Sequence, residues 1–269
     1  KFDLSSYKER STDNKAILRG YCLNIFDISI YTASPDEIKA VKESKPSLWE
    51  NMLFRLQRLK NLPYFKRPEL FEAKLFNFDK NILNASKNAY LTGYWQSPKY
   101  FNAIRNQLLA DFKFKEVPSK ITYPYISKIT EEQSVSIHVR RGDYINNPET
   151  YKIHGVCSLD YYLTAIEHLK KNVRNPVFFI FSDDINWAQE NLNLRDNVIF
   201  VKETPTGKDH FEMQMMSMCK HTIIANSSFS WWGAFLDTKP SAITIAPQKW
   251  FNDDRIQWSD IYCKDWVVL

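Results

Sequence analysis

Two adjacent arginines flanked by a histidine and an aspartate form one hexapeptide, His138-Val139-Arg140-Arg141-Gly142-Asp143, directly after the apolar run Val135-Ser136-Ile137. A guanidinium is always charged and grips phosphate through two parallel hydrogen bonds. Two of them where a strand becomes a loop would aim at an anion above a sheet edge. His138 and Asp143 stand close enough to orient those forks or to move a proton. An ion cluster on an ordinary surface turn would use the same residue types.

A second candidate anion site follows Thr222-Ile223-Ile224-Ala225. Here Asn226, Ser227, Ser228 and Phe229 lead into a helical stretch. The first N–H groups of a helix lack intrahelical partners and carry partial positive charge, so small hydroxyl residues at that point suit a phosphate. Plain capping by Ser227 or Ser228 is the alternative. Asp183-Asp184 fits three roles: a metal pair, a helix cap, or acceptors for a guanine edge or ribose hydroxyls. No Asp-x-Asp triplet occurs in the chain, which argues against holding a sugar nucleotide through a divalent ion. Two arginines and a helix terminus would offset a diphosphate themselves, so no metal is assigned.

These residues need a frame, and the C-terminal half supplies one. Ser134–Val139 reads as a buried strand, Leu159–Lys171 as an amphipathic helix capped by Ser158, and Pro176–Phe181 as a second strand. The helix should bury Leu159, Tyr162, Leu163, Ile166 and Leu169. Then follow a short helix at Ile185–Leu192, a strand at Asn197–Val201, a Met-rich helix at Asp209–Lys220, a strand at Thr222–Ala225, a helix at Phe229–Leu236 and a strand at Ala242–Ala246. Such alternation predicts a doubly wound, mostly parallel sheet. In open α/β sheets ligands sit at the carboxyl ends of strands, and every loop following a predicted strand here is polar or aromatic.

The N-terminal half has another character. Ser34-Pro35 announces a helix over Asp36–Glu43, and Pro46 a second over Ser47–Lys60 with a basic end at Arg55, Arg58 and Lys60. Ala89–Tyr94 is extended, and Ser97-Pro98 opens a helix over Lys99–Phe112. Pro118–Thr130 reads as the crossing between two domains, residues 1–125 and residues 126–269. The first residues, Lys1-Phe2-Asp3-Leu4, look like the end of a strand, and a segment preceding them is expected.

The 36 basic and 31 acidic side chains leave a net charge of +5. That excess suits an anionic small ligand or membrane face, and it offers no concentrated basic stripe for nucleic acid. No apolar run reaches the roughly 18 residues of a membrane span. Cys22, Cys157, Cys219 and Cys263 are spaced irregularly, matching no disulfide or zinc framework, so reduced thiols are expected.

With these pieces assembled, the chain resembles the bacterial α-1,2-fucosyltransferases of glycosyltransferase family 11. The matching segments are SIHVRRGDY at Ser136–Tyr144, HGVCSLDYY at His154–Tyr162, FSDD at Phe181–Asp184, ANSSFSWWGAFL at Ala225–Leu236, and GYWQS at Gly93–Ser97. The resemblance implies an α/β fold of GT-B type, with two Rossmann-like domains facing a cleft and a C-terminal donor domain. It implies inverting transfer of L-fucose from GDP-fucose to the 2-hydroxyl of a galactose-terminated glycan, with no metal or other cofactor. Arg140 would hold the β-phosphate and stabilise departing GDP, His138 would support that loop and touch the nucleotide, and Asp184 with Asp183 would read guanine or ribose. Asn226, Ser227, Ser228 and Phe229 would line the phosphate and sugar pocket. The base is open among Asp143, Glu149 and His154, and Asp143 is equally suited to brace Arg141. The family's glycine-rich opening segment is absent from this sequence, whose first glycine is Gly20. A bacterial member is expected in the cytoplasm, in peripheral contact with the inner membrane, decorating lipopolysaccharide, O-antigen or capsule.

Overall fold

The structure is a computed structural model that describes residues 1–5, 21–43, 52, 70–72, 76–85, 89–120, 123–192, 194, 197–202 and 208–269. Near the N-terminus, β1 (Leu70–Glu72) and β2 (Tyr90–Thr92) pair in parallel. Phe2 makes an isolated parallel bridge to Thr32, where the end of a strand was expected. The second sheet has six strands: β3 (Gln133–Val139), β4 (Pro176–Ser182), β5 (Val198–Phe200), β6 (His221–Ile223), β7 (Thr244–Ala246) and β8 (Val267–Val268). All five pairings are parallel, and the spatial order is β5-β4-β3-β6-β7-β8. That is the 3-2-1-4-5-6 order of a Rossmann sheet. The order reverses between β3 and β6, so the loops leaving their carboxyl ends diverge and open a crevice there. Both motifs singled out above leave from those two strands.

Period-2 alternation explains how β3 serves two layers. Val135, Ile137 and Val139 enter a core that includes Ile180, Ile223 and Ile245, while Ser134, Ser136 and His138 point to the opposite face. On that face Ser136 Oγ bonds Thr222 Oγ1 across the β3–β6 pair at 3.1 Å. β4 carries Phe178, Phe179, Ile180 and Phe181, all at most 2% exposed. Each such side chain contributes about 1.5–3 kcal/mol on burial.

The α-helices among the described residues are α1 (Pro35–Lys42), α2 (Arg105–Asp111), α3 (Tyr125–Glu131), α4 (Gly142–Asn146), α5 (Pro148–His154), α6 (Leu159–Asn172), α7 (Ile185–Asn191), α8 (His210–Met218) and α9 (Ser228–Phe235). Ser34 and Glu37 close a reciprocal capping box on α1, and Ser158 caps α6 through Tyr161 N. In α6 the buried stripe is Tyr161, Tyr162, Ala165, Ile166 and Leu169, whereas Leu163 is 41% exposed. The predicted stripe was rotated because Tyr161 has polar work inside, its hydroxyl bonding the carbonyls of Ile224 (2.7 Å) and Ile245 (3.2 Å). Met215 and Met216 of α8 are fully buried with Ile126 and Ile129 of α3, which covers the second face of the sheet.

Two other expectations change. The helix predicted over Lys99–Phe112 is broken into two 3-10 turns, Pro98–Tyr100 and Asn102–Ile104, before α2 begins. Part of the predicted crossing at Pro118–Thr130 is α3, whose Ile126 and Ile129 are buried. The basic stretch of Ser47–Lys60 lies outside the described residues. The N-terminal part meets the six-stranded sheet's helices and loops through rings, with Phe76 and Phe101 packed against a core containing Trp231, Phe235 and Phe251. Arg105 Nη2 also donates to the carbonyls of Phe235 (3.0 Å) and Asp237 (3.3 Å).

Candidate active site

β3 ends at Val139, and the chain turns at Arg140-Arg141 into α4. Asp183, in the neighbouring loop after β4, organises this turn. Its Oδ1 accepts the backbone N–H of Arg141 at 2.8 Å, and its Oδ2 lies 3.1 Å from Arg140 Nη1. Asp143 takes the other branch of the Arg140 fork, Oδ2 to Nη2 at 2.6 Å. The Arg140 guanidinium therefore sits between two carboxylates, with its carbon 5.6 Å from the centre of the Tyr144 ring. A Cβ at position 142 would come within 3.1 Å of Asp183 Oδ2, so Gly142 is what lets this carboxylate approach so closely.

Arg141 is held separately. Its Nε reaches Asp184 Oδ2 at 3.3 Å, and its guanidinium lies 4.0 Å over the Trp187 ring. Asp184 also caps α7 by accepting Trp187 N. Asp143 was expected to brace Arg141, if it braced anything, and the partner is instead Arg140. Arg140 precedes the α4 N-cap and Asp143 lies in the first turn of the helix, so the turn into α4 brings the two side chains together. Trp187 and Tyr144 were missed as parts of the network. Tyr144 adjoins the motif, whereas the role of Trp187 depends on where α7 packs and has no signal in spacing.

His138 is 4% exposed, with its ring 5.6 Å from that of Phe229 across the β3–β6 crevice. Burial, and then the charge of Arg140, pushes its pKa down to about 3. It is a neutral imidazole at physiological pH, and its Nδ1 has no hydrogen-bond partner among the described residues. Its backbone carbonyl accepts the Tyr162 hydroxyl at 3.2 Å.

The loop after β6 is built from neutral groups. Asn226 is 2% exposed, and its Nδ2 faces three carbonyls: His154 at 2.9 Å, Trp250 at 3.2 Å and Gly155 at 3.4 Å. Its Oδ1 takes the Cys157 thiol at 3.5 Å. Gly155 has φ 61°, and a Cβ there would collide with Asn252. Ser227 caps α9 by accepting Phe229 N at 3.3 Å, while the Ser228 side of the turn is exposed. Trp231 is fully buried and donates to Ile261 O at 2.7 Å, whereas Trp232 packs on Phe101 and Phe112. Glu149 is exposed in the first turn of α5, and His154 lies between the rings of Tyr144 and Phe251. None of the four cysteines is in a disulfide, and burial pushes the Cys157 thiol up to about 12, so it behaves as a small core side chain.

The structure thus clusters Arg140, Asp143 and Asp183 beside His138, whose ring meets Phe229 across the β3–β6 crevice, with Asn226 and Ser227 on its second wall, while Asp184 is turned to Arg141 and Trp187. A cavity of ≈ 520 Å³ lined by Arg105, Asp237, Lys239 and Trp266 lies at the other end of the sheet, near the starts of β7 and β8. Chemistry, more than volume, marks the crevice. A Rossmann sheet with arginines and a capped helix start leaving the strands at its switch point has the chemistry to receive an anion there. The sequence profile of glycosyl transferase family 11 matches residues 9–269, and the chain belongs to that family. It is a glycosyltransferase. Relatives include an alpha-1,2-colitosyltransferase of Escherichia coli, 38% identical over 71% of this chain and 67% of its own length. The O-antigen biosynthesis glycosyltransferase WbnK of Escherichia coli is 33% identical over 91% of this chain and 84% of its own. Galactoside alpha-(1,2)-fucosyltransferase 2 of Sus scrofa is 26% identical over 68% and 64%.

Proposed function

We propose that this glycosyltransferase moves L-fucose from GDP-fucose to the 2-hydroxyl of a terminal galactose, with inversion and without a metal ion. The observation that carries the reading is the Arg140 fork, held between Asp143 and Asp183 at the switch point, opposite the Ser227 cap of α9. The donor's diphosphate takes up the fork, which neutralises the charge growing on GDP as the glycosidic bond breaks. N–H groups at the start of α9 share that charge. His138 contributes as an uncharged hydrogen-bonding group, because burial and the Arg140 charge hold its pKa down before the donor binds. Asp183 and Asp184 stand beside the phosphates to accept from guanine or ribose, and Phe229 borders the sugar.

The same geometry gives Asp143 a conditional role. While it accepts from Arg140 Nη2 it is a brace. A phosphate that recruits this nitrogen releases the carboxylate to take the acceptor's proton late in the reaction. Donor binding would then arm the base. In this reading residues 126–269 form the donor domain of a GT-B enzyme, and residues 1–125 contribute to the acceptor side. The enzyme works in the cytoplasm on a growing surface glycan, in peripheral contact with the inner membrane. No helix among the described residues is long and apolar enough to cross a membrane.

A second donor has support of its own. The likeness to a colitosyltransferase makes colitose the alternative sugar for the same clamp. Incubation with GDP-fucose and with GDP-colitose, across β-galactoside acceptors and with linkage analysis, decides between them. Fucosyl transfer in α-1,2 linkage is the expected result. Another linkage, or no release of GDP from either donor, overturns the proposal.

A further inference from the structure

The turn Gly93-Tyr94-Trp95-Gln96 is strained at Trp95. Gly93 has φ 153° and Trp95 has φ 49°. The other described non-glycine residues with positive φ are Asn175 and Asn197, a type that tolerates the left-handed region, whereas a bulky tryptophan there is costly. Gln96 follows, 5% exposed, with a buried Nε2 that has no hydrogen-bond partner among the described residues. Strain and an unsatisfied buried donor together mark a place held for function.

What this turn displays is the ring of Tyr94, 77% exposed. The ring is backed by Phe76, stacked at 4.9 Å and 21°. Phe76 meets Phe251 at 4.6 Å, Phe251 meets His154 at 5.3 Å, and His154 stacks on Tyr144 at 4.9 Å. Tyr144 carries Arg140. An unbroken row of rings therefore runs from the phosphate clamp to an aromatic face in solvent. Asn226 ties the row to the second wall of the crevice through its bond to His154 O.

We infer that Tyr94 is the outer platform of the acceptor site, stacking on a sugar ring of the glycan. The inference rests on the proposed transferase function. A galactoside has one face of C–H bonds that stacks on an aromatic ring and a rim of hydroxyls that hydrogen-bond. Tyr94 offers the first kind of contact, and the row behind it ends at the group that holds the leaving nucleotide. A polar, ring-shaped ligand fits this platform better than a lipid surface, because the row behind it passes through the core to a charged group.

The test is steady-state kinetics at saturating GDP-fucose with a varied β-galactoside, for wild type, Tyr94→Ala and Tyr94→Phe, alongside GDP affinity by titration calorimetry. Tyr94→Ala should raise the acceptor KM on the order of tenfold, the size of one lost stacking contact, while the GDP Kd stays put. Tyr94→Phe should keep the wild-type KM. An unchanged acceptor KM in Tyr94→Ala sinks the inference, and so does an equal loss of GDP affinity. So does loss of binding to phosphatidylglycerol vesicles with the acceptor KM unmoved, which would make Tyr94 a membrane contact. If wild type transfers no sugar, that failure belongs to the functional reading. Saturation-transfer NMR of the galactoside on wild type and Tyr94→Ala then still decides the platform, a signal undiminished in the variant overturning it.

Discussion

Two loops face each other across the β3–β6 crevice, and they are built on opposite principles. The arginine loop is charged and partly open, with the Arg140 side chain 22% exposed and shared between two carboxylates. The asparagine loop is neutral and shut, with Asn226 2% exposed and its amide committed to three carbonyls. An ion pair at partial exposure exchanges partners at little cost, because water and a phosphate can replace a carboxylate. A buried amide cannot let go without leaving unsatisfied carbonyls behind. One wall can therefore respond to a ligand, and the other holds the crevice at a fixed width.

Substitutions should split along that line. Arg140→Ala should cost the most, about a thousandfold in kcat/KM with weakened GDP binding, while the thermal midpoint moves little. Wild-type-like turnover by the folded variant would end the assignment of Arg140 to the diphosphate. Asp143→Asn should lower kcat by about a hundredfold with GDP affinity nearly kept, which separates a base from a brace. A variant that loses thermal stability and GDP affinity together would make Asp143 a brace only.

The same contrast shows what a sequence reveals. The sheet was legible because strands and helices alternate with strong periodicity, and because Ser34 and Ser158 cap helices where capping chemistry predicts. The arginine loop was legible as an anion site because residue type alone carries that meaning. Its wiring was not, since Asp143 and Asp183 reach Arg140 through a five-residue helix and a neighbouring strand. Asn226 looked like a pocket residue for the same reason. Nothing along the chain announces that His154, Gly155 and Trp250 would converge on its amide. The break before α2 came from Phe101 and Arg105 turning toward α9, a tertiary demand that overrode helix propensity.

On the closed wall the expected effects are on stability. Asn226→Ala should cost about 1–3 kcal/mol, because the carbonyls it serves stay buried. For a chain of this size that is a drop of several degrees in the thermal midpoint. If calorimetry finds the midpoint unmoved while GDP affinity falls, Asn226 is a ligand contact and the two walls are not different in kind.

His138 stands between the loops and gives the finest test. Its folded pKa of about 3 lies well below the ordinary histidine value of 6.5. Above pH 6.5 the imidazole is neutral in both folded and unfolded chains and costs nothing. As pH falls below that value the unfolded chain takes up a proton that the folded chain refuses. Stability should then decline, by up to about 1.4 kcal/mol per pH unit, until the folded pKa is reached. His138→Asn removes this term, so denaturant unfolding at pH 6.5 and pH 5.5 should show a smaller acid loss in the variant than in wild type. Equal losses would mean that His138 accepts a proton in the fold. The crevice would then hold a cation that the neutral wall does not predict, and the diphosphate would have a third positive partner.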